Sequence, residues 1–527
     1  MNEHRYDVVI VGSGAGGGTV AAALAPLARA GRKVLVLEKG PRFRDDEFTG
    51  RELEMAGALY EDAGGFLTAD GTMTLAFAHA YGGSTVVYTG TSLIAPERVI
   101  RDWAVPGLSH GDIDARARHY IAENNVQYLP AGRINDNNRL FVTGARAAGY
   151  EPEQFPLNLR GCLGSSLCNL GCPNQAKQGT HRVQLPAAER EGVEVVTRAE
   201  VLRIAAAGAD DAGSHSGAGR DAGVGSDGRA TLHVRVAEKR PGGKGAPSEW
   251  APGEHTIRAD MVVVAGGSIG SSALLLRSGF GERLPRLGHG FTCHPAHILV
   301  AEHERELTND VGHPKSFYVD RAVEEGYVLE TCMYFPFTTA KNLTGFGASH
   351  SALMNAFPRL QMILVLACDR AEDGNTITVD RGGRPVVNYR FAPRTVESMV
   401  AATRASARIF FGAGALRVHA PSANPPLIER GDADRVDELI DARHFLPGRI
   451  SVSAAHLMGG CAMGRDARDS VTDGFGRVHG LPWLRVADSS LFPDSLEINP
   501  YLTIMALADR VAEGVRADIG ARASVPV

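Results

Sequence analysis

Tyr6 to Val11 is apolar and rich in β-branched residues at almost every position, the pattern of a parallel strand covered on both faces. The turn Gly12-Ser-Gly14-Ala-Gly-Gly17 follows at once, and the Ala-rich stretch to about Ala30 predicts a helix. Lys33 to Leu37 predicts a second strand, closed by Glu38, so the chain opens with a βαβ unit. Met261 to Ala265 is a further buried strand, leading through Gly266-Gly267 into a helix over Ser271 to Leu276. From 297 to 445 the pattern changes. Asn375 to Val379 and Pro385 to Phe391 pair around Arg-Gly-Gly-Arg, and a helix follows over Thr395 to Phe410. Leu232 to Val236 alternates like a strand, whereas 207–230 is Gly, Ala, Asp and Ser with almost nothing to bury and predicts a flexible hairpin loop.

A chain of 527 residues exceeds one ordinary core, so two domains are expected, with room to bury a large cofactor. The expected division is 1–296 together with 446–527 around a nucleotide, and 297–445 around a substrate. With 55 Lys and Arg against 60 Asp and Glu, the net charge of -5 argues against nucleic acid and for a small-molecule partner. Seven thinly spread cysteines fit a reducing compartment. The first strand begins too early for a signal peptide, and no run of about eighteen apolar residues appears, so a cytoplasmic protein without a transmembrane segment is expected.

Gly12, Gly14 and Gly17 permit a tight turn, close approach of backbone to a pyrophosphate, and close packing of helix on strand. Glu38 can accept hydrogen bonds from ribose hydroxyls and repels a 2'-phosphate. Three further segments identify the nucleotide. Tyr81-Gly82-Gly83-Ser84-Thr85 with Ala95-Pro96 and Asp102-Trp103, then Gly266 to Gly281, then Arg485 to Ser490 with Asn499-Pro500, resemble in order the signatures of the glucose-methanol-choline (GMC) oxidoreductases. That resemblance implies an α/β fold, a Rossmann-like FAD-binding domain with an interleaved α+β substrate domain built on an antiparallel sheet. Within the family, Cys168 to Thr180 and Leu329-Glu330-Thr331 resemble the long-chain fatty alcohol oxidase branch, with cholesterol oxidases near.

The resemblance further implies that His456 is the base and that Asn499 donates to the same substrate oxygen, although Asn499-Pro500 is also a sound helix N-cap. Leu502 or Thr503 would turn helix amides toward the flavin, Asp488 would meet its ribityl or pyrophosphate region, and Val201 would face the adenine. Val87 stands where some relatives carry a flavin-tethering histidine, so non-covalent FAD is expected; Tyr88 follows it and packs or stacks nearby. Glu330 has an apolar sequence neighbourhood that suits a raised pKa and a proton relay, or it is a surface glutamate at a strand end. His294-Pro295 reads as structural support. Cys162, Cys168 and Cys172 lack a fourth ligand for zinc and read as a turn near the flavin, with Lys177 and Gln178 lining the site or solvated.

The implied reaction is hydride transfer from an alcohol to flavin N5, giving an aldehyde or ketone, with oxygen, a quinone or a protein as final acceptor. Met333 to Phe337 and Met362 to Ala367 either line an apolar pocket or form the substrate domain's own core. Three Trp and 6% aromatics disfavour a sugar, so a long-chain, alicyclic or steroid-like alcohol is expected. A lyase or decarboxylase on the same fold is the alternative; oligomeric state has no sequence signal.

Overall fold

Residues 2–207, 229–343, 345–422, 427–446 and 448–523 are described by the computed structural model, so most of the polar stretch 207–230 lies outside the described residues. The N-terminal strand is Asn2–Val11, and it runs through the middle of a seven-stranded sheet. Val34–Leu37 and Gly253–Val264 flank it, both parallel to it. Val8, Val9, Ile10 and all of Val34–Leu37 are buried, which is why these strands are unbroken apolar runs rather than alternating ones. Helix Ala15–Arg29 follows the glycine turn and packs against the long C-terminal helix Tyr501–Ala523, which brings the two ends of the chain together.

Gly253–Val264 changes partner along its length. Its first half pairs antiparallel with Ala230–Val236, and Val262 to Val264 pair parallel with Leu484–Val486. Three loops, after Val11, Val264 and Val486, therefore emerge at one end of the sheet. They touch backbone to backbone: a Cβ on Gly12 (φ 102°) would collide with the Ala265 carbonyl, and one on Gly16 with the Ala487 carbonyl. Here glycine is required by lack of space as well as by φ.

The second sheet has nine strands, with antiparallel pairing along the path Leu427–Glu429, Arg417–His419, Ala296–Glu302, Leu360–Ala367, Tyr327–Thr331, Phe317–Arg321 and Glu153–Gln154. Val452–Ala454 and Met73–Leu75 extend it beside Ala296–Glu302. Every residue of Leu360–Ala367 is buried. Ile363, Val365 and Ala367 pack in one core cluster with helix Pro393–Gly412, while Met362, Leu364 and Leu366 pack in another on the opposite face. The stretch Met362 to Ala367 is thus core on both faces, and Leu366 alone of it also lines a cleft. Thr376–Val379 and Pro385–Asn388 form a separate two-stranded ribbon.

The glycine contacts yield a test in unfolding midpoints. Gly16→Ala puts a methyl into the Ala487 carbonyl and is expected to cost about 3 kcal/mol or more. Gly57→Ala, in helix Glu52–Leu59 with nothing within 4 Å of the new methyl, is expected to stabilise by about 0.5–1 kcal/mol.

Candidate active site

Ser13 is the knot of the nucleotide cradle. Its amide (3.0 Å) and hydroxyl (2.6 Å) donate to one Glu38 oxygen, Gly40 N donates to the other at 2.7 Å, and Ser13 Oγ accepts from Gly82 N at 2.9 Å. One side chain thus joins the glycine turn, the second strand's acidic end and the Gly82-Gly83 segment. Glu38 is buried, and burial raises its pKa, against the pull of its Ser13 and Gly40 donors. A Cβ on Gly14 would meet only the Gly83 Cα, at 3.8 Å, so bare backbone faces bare backbone there. Such a surface admits a pyrophosphate. Ser84 Oγ accepts from Ala78 N at 3.1 Å, bracing the Gly83–Val86 turn from its exposed side.

At the other end of the cradle, Asp488 accepts from Gly267 N (2.9 Å) and the Ser271 hydroxyl through one oxygen and from Ser490 N (2.8 Å) through the other. It pins the Gly266-Gly267 turn to the Asp488–Leu491 segment, and burial raises its pKa. Gly266 N donates to Ser271 Oγ at 2.9 Å. Val201 lies buried in strand Ala199–Ala206, its carbonyl held by Arg277 at 2.6 Å. In helix Tyr501–Ala523 the Ile504 amide donates to the Pro500 carbonyl at 2.9 Å, so the amides of Tyr501, Leu502 and Thr503 precede the first intrahelical bond. The Thr503 hydroxyl is buried with no protein partner. An orphaned hydroxyl beside free helix amides and a glycine-lined cradle fit the flavin dinucleotide that the motifs imply.

A cleft opens beside this helix end. Leu93, His294, Tyr318, Asp320, Val328, Glu330, Leu366, Cys368, His456, Glu497, Ile498 and Asn499 line it, so His456, Asn499 and Glu330 share one wall system although 126 to 169 positions separate Glu330 from the other two. Asn499 Nδ2 lies 3.2 Å from His456 Nε2. His456 Nδ1 lies 3.0 Å from His294 Nδ1, the two rings meeting edge to face. Burial, and secondarily the Lys315 ammonium, push the His456 pKa down to about 3. His294 is lowered further below its ordinary range by burial and by His456.

The structure adds partners that sequence patterns did not identify. Glu330 is buried, but its surroundings are not simply apolar: its carboxylate pairs with the Lys315 ammonium, itself 10% exposed. This replaces the expected apolar setting, because Lys315 lies fifteen positions away on the neighbouring strand connection. Glu497, at φ 67°, is buried and pairs with Arg98 and with Arg370 at 2.7 Å. His294, at φ 49°, has its amide held by Asp369 at 3.1 Å, and Asp369 also accepts from Cys293 N and the Tyr389 hydroxyl. Burial raises the Asp369 pKa to about 6. Backbone at positive φ at His294 and Glu497, held by buried charge, makes this cleft the candidate site.

Tyr88 packs edge-on against Tyr501, its hydroxyl accepting from Asn158, and lies outside the cleft's lining. Cys162, Cys168 and Cys172 line a separate pocket with Lys177 and His313. Lys177 is buried rather than solvated, donating to the carbonyls of Val86 (2.8 Å) and Cys168. Gln178 is also buried, its amide donating to the Ala176 carbonyl at 3.0 Å. Met333 to Phe337 does not reach the cleft, and Phe337 is exposed.

Among known families, GMC oxidoreductase models match residues 56–296 and 372–508, and a model of the NAD(P)-binding Rossmann-like domain matches 10–61. A GMC-type oxidoreductase of Mycobacterium tuberculosis is 32% identical over 97% of this chain and 75% of its own length. A long-chain-alcohol oxidase of Arabidopsis thaliana is 26% identical over 96% of this chain and 66% of its own length, so this chain spans about two thirds of that relative. The fold is that of pyridoxine 4-oxidase from Mesorbium loti, with a TM-score of 0.67, 17% identity and coverage of 97% and 99% of the two chains. A formate oxidase gives a TM-score of 0.67 at 14% identity, covering 99% of this chain and all of the other. No helix among the described residues is long and apolar enough to cross a membrane.

Lys315→Met strands a buried carboxylate, so a loss of about 3–5 kcal/mol is expected in denaturant unfolding. Adding Glu330→Gln to it should restore most of that loss; equal stability of the two variants would mean that the unpaired carboxylate carries no burial penalty.

Proposed function

Because this chain belongs to the GMC oxidoreductase family and is an FAD-dependent oxidoreductase, we propose that it oxidises an apolar alcohol to an aldehyde or ketone, with His456 as the base. The observation that carries this reading is the placement of His456 Nε2 and Asn499 Nδ2 3.2 Å apart on the wall of a cleft beside the helix end that begins at Tyr501. An imidazole whose pKa is about 3 is neutral across the neutral range and offers a lone pair to a hydroxyl proton. The Asn499 amide donates to the same substrate oxygen and stabilises its developing negative charge. Bound FAD supplies the hydride acceptor, at N5. Gly12, Gly14, Gly17, Gly82, Gly83, Ser84 and Gly266 would give it backbone access, Glu38 would take a ribose, and Asp488, which orders the Gly266-Gly267 turn, would hold its ribityl or pyrophosphate region. Leu502 and Thr503 would offer amides to the flavin, and Pro500 precedes that helix. Tyr88, edge-on to Tyr501, would support the helix start, and Val201 would face the adenine. With Val87 buried at the tethering position, the FAD is held non-covalently.

Leu93, Val328, Leu366 and Ile498 give the cleft an apolar lining that excludes water around the carbinol carbon. The Arabidopsis relatives, named as long-chain-alcohol oxidases, support a long-chain substrate. Glu330 lines the same cleft as one member of a buried ion pair with Lys315, where it can accept a hydrogen bond or take part in proton relay. In this reading residues 297–445 bound the substrate, and 1–296 with 446–527 hold the cofactor, the latter part lending Met73–Leu75, Glu153–Gln154 and Val452–Ala454 to the substrate sheet. All seven cysteines are free thiols, which supports a reducing, cytoplasmic setting.

Anaerobic addition of dodecanol, a sterol, benzyl alcohol and a sugar tests the reading: bleaching of the flavin by an apolar alcohol is expected, and failure of all four would sink it. Readmitted air then distinguishes oxygen from another electron acceptor by the rate of recolouring. His456→Ala should keep its flavin and lose about 10²–10⁴ in the rate of reduction. At saturating alcohol that rate should stay level from pH 8 to about pH 5, because the base is lost only as pH falls through about 3. An imidazole at its ordinary value would lose about thirtyfold by pH 5.

A further inference from the structure

Three polar groups meet at the two imidazoles, which also face each other, and these four hydrogen bonds cannot all be made with one set of protons. His456 Nε2 faces Asn499 Nδ2, and His456 Nδ1 faces His294 Nδ1 at 3.0 Å. His294 Nε2 in turn receives the Glu497 amide at 3.1 Å and lies 2.8 Å from Ser495 Oγ. Each neutral ring carries one proton, and one proton lies between the two Nδ1 atoms.

For His456 to accept an alcohol proton at Nε2, its own proton must sit on Nδ1. His294 must then accept at Nδ1, so its proton sits on Nε2. Among the described residues only Ser495 Oγ is placed to receive that proton, since the Glu497 amide is itself a donor. The opposite arrangement satisfies Glu497 N but loads His456 Nε2 with a proton and leaves no base. The Ser495 hydroxyl rotates to serve either state, and Ser495 is fully buried, so no bulk water replaces it.

We propose that His294 is the positioning residue that fixes His456 in its base tautomer, and that the Ser495 hydroxyl makes this tautomer possible. This rests on His456 being the base. When the alcohol proton reaches His456 Nε2, the imidazolium donates its Nδ1 proton as a hydrogen bond to the His294 Nδ1 lone pair. His294 stays neutral throughout, and no proton leaves the pair. The backbone fixes the ring and one of its partners: His294 sits at φ 49° with its amide held by the buried Asp369, and Glu497, whose amide opposes the base tautomer, sits at φ 67° between Arg98 and Arg370. Of the two groups that compete for His294 Nε2, the Glu497 amide is therefore held in place, and the Ser495 hydroxyl is the one that can turn.

Three substitutions separate the contacts. Asn places a polar atom where Nδ1 lies, Gln places one where Nε2 lies, and Ser495→Ala touches neither ring. His294→Gln and Ser495→Ala are each expected to lower kcat on the order of 100-fold with KM changed less than threefold, while His294→Asn recovers most of kcat. In 15N-histidine-labelled protein, ring nitrogen shifts should place the His456 proton on Nε2 in Ser495→Ala. That readout needs no turnover, so it stands even if no alcohol in the panel is oxidised. Wild-type kcat in Ser495→Ala, or ring shifts of His456 unaltered by both His294→Gln and Ser495→Ala, would overturn the proposal. If His456→Ala retained full flavin reduction, the base itself would be misassigned, a failure the ring shifts leave separate.

Discussion

Backbone must touch backbone at the end of the first sheet, and the site exists only because it does. The turn after Val11, the turn after Val264 and the segment after Val486 come within van der Waals reach with no side chain between them. Ser13 then ties that junction to Glu38 and Gly82, and Asp488 ties Gly267 to Ser490. A cofactor cradle made of main-chain atoms has little side-chain entropy to lose on binding. The cost is that Gly12, Gly16 and Gly17 are irreplaceable for steric reasons.

The cleft depends on a different constraint, the pairing of buried charge. Lys315 with Glu330, Glu497 with Arg98 and Arg370, and Asp369 with backbone amides and Tyr389 place several ionisable groups around two neutral imidazoles. Each pair is weak evidence for stability but strong evidence for placement, because a misplaced partner leaves a charge buried alone. A low-dielectric surround holds His456 neutral, and the fixed charges keep its neighbours from moving to solvate a proton.

Much of the cofactor side was legible in the sequence, because its determinants are local: a β-branched run, a glycine turn and an acidic strand end lie within about thirty residues of one another. The helix predicted over Thr395 to Phe410 is present as Pro393–Gly412 for the same reason, since its apolar face repeats at helical spacing. The cleft was legible only in part. Glu330 reads as apolar in sequence because Val328, Leu329 and Met333 surround it, yet strand alternation and pairing deliver Lys315 from another strand connection. The partnership of His294 with His456 spans 162 positions and has no local signal at all. Lys177 reads in sequence as lining the site or solvated, but two carbonyls from distant turns satisfy it inside the protein.

Arg98, His294, Arg370 and Glu497 come from four remote parts of the chain and meet at one carboxylate and one ring. Loop-closure entropy weighs on this spot as heavily as on the longest strand pairings, Met73–Leu75 with Val452–Ala454 and Asn2–Val11 with Gly253–Val264, but here a few buried charges rather than a strand ladder offset it. This corner of the cleft is expected to be among the last parts to order during folding and the first to loosen under denaturant. Inactivation would then precede loss of secondary structure, and the half-life of activity would report on the meeting of the chain's two ends rather than on the strength of its cores.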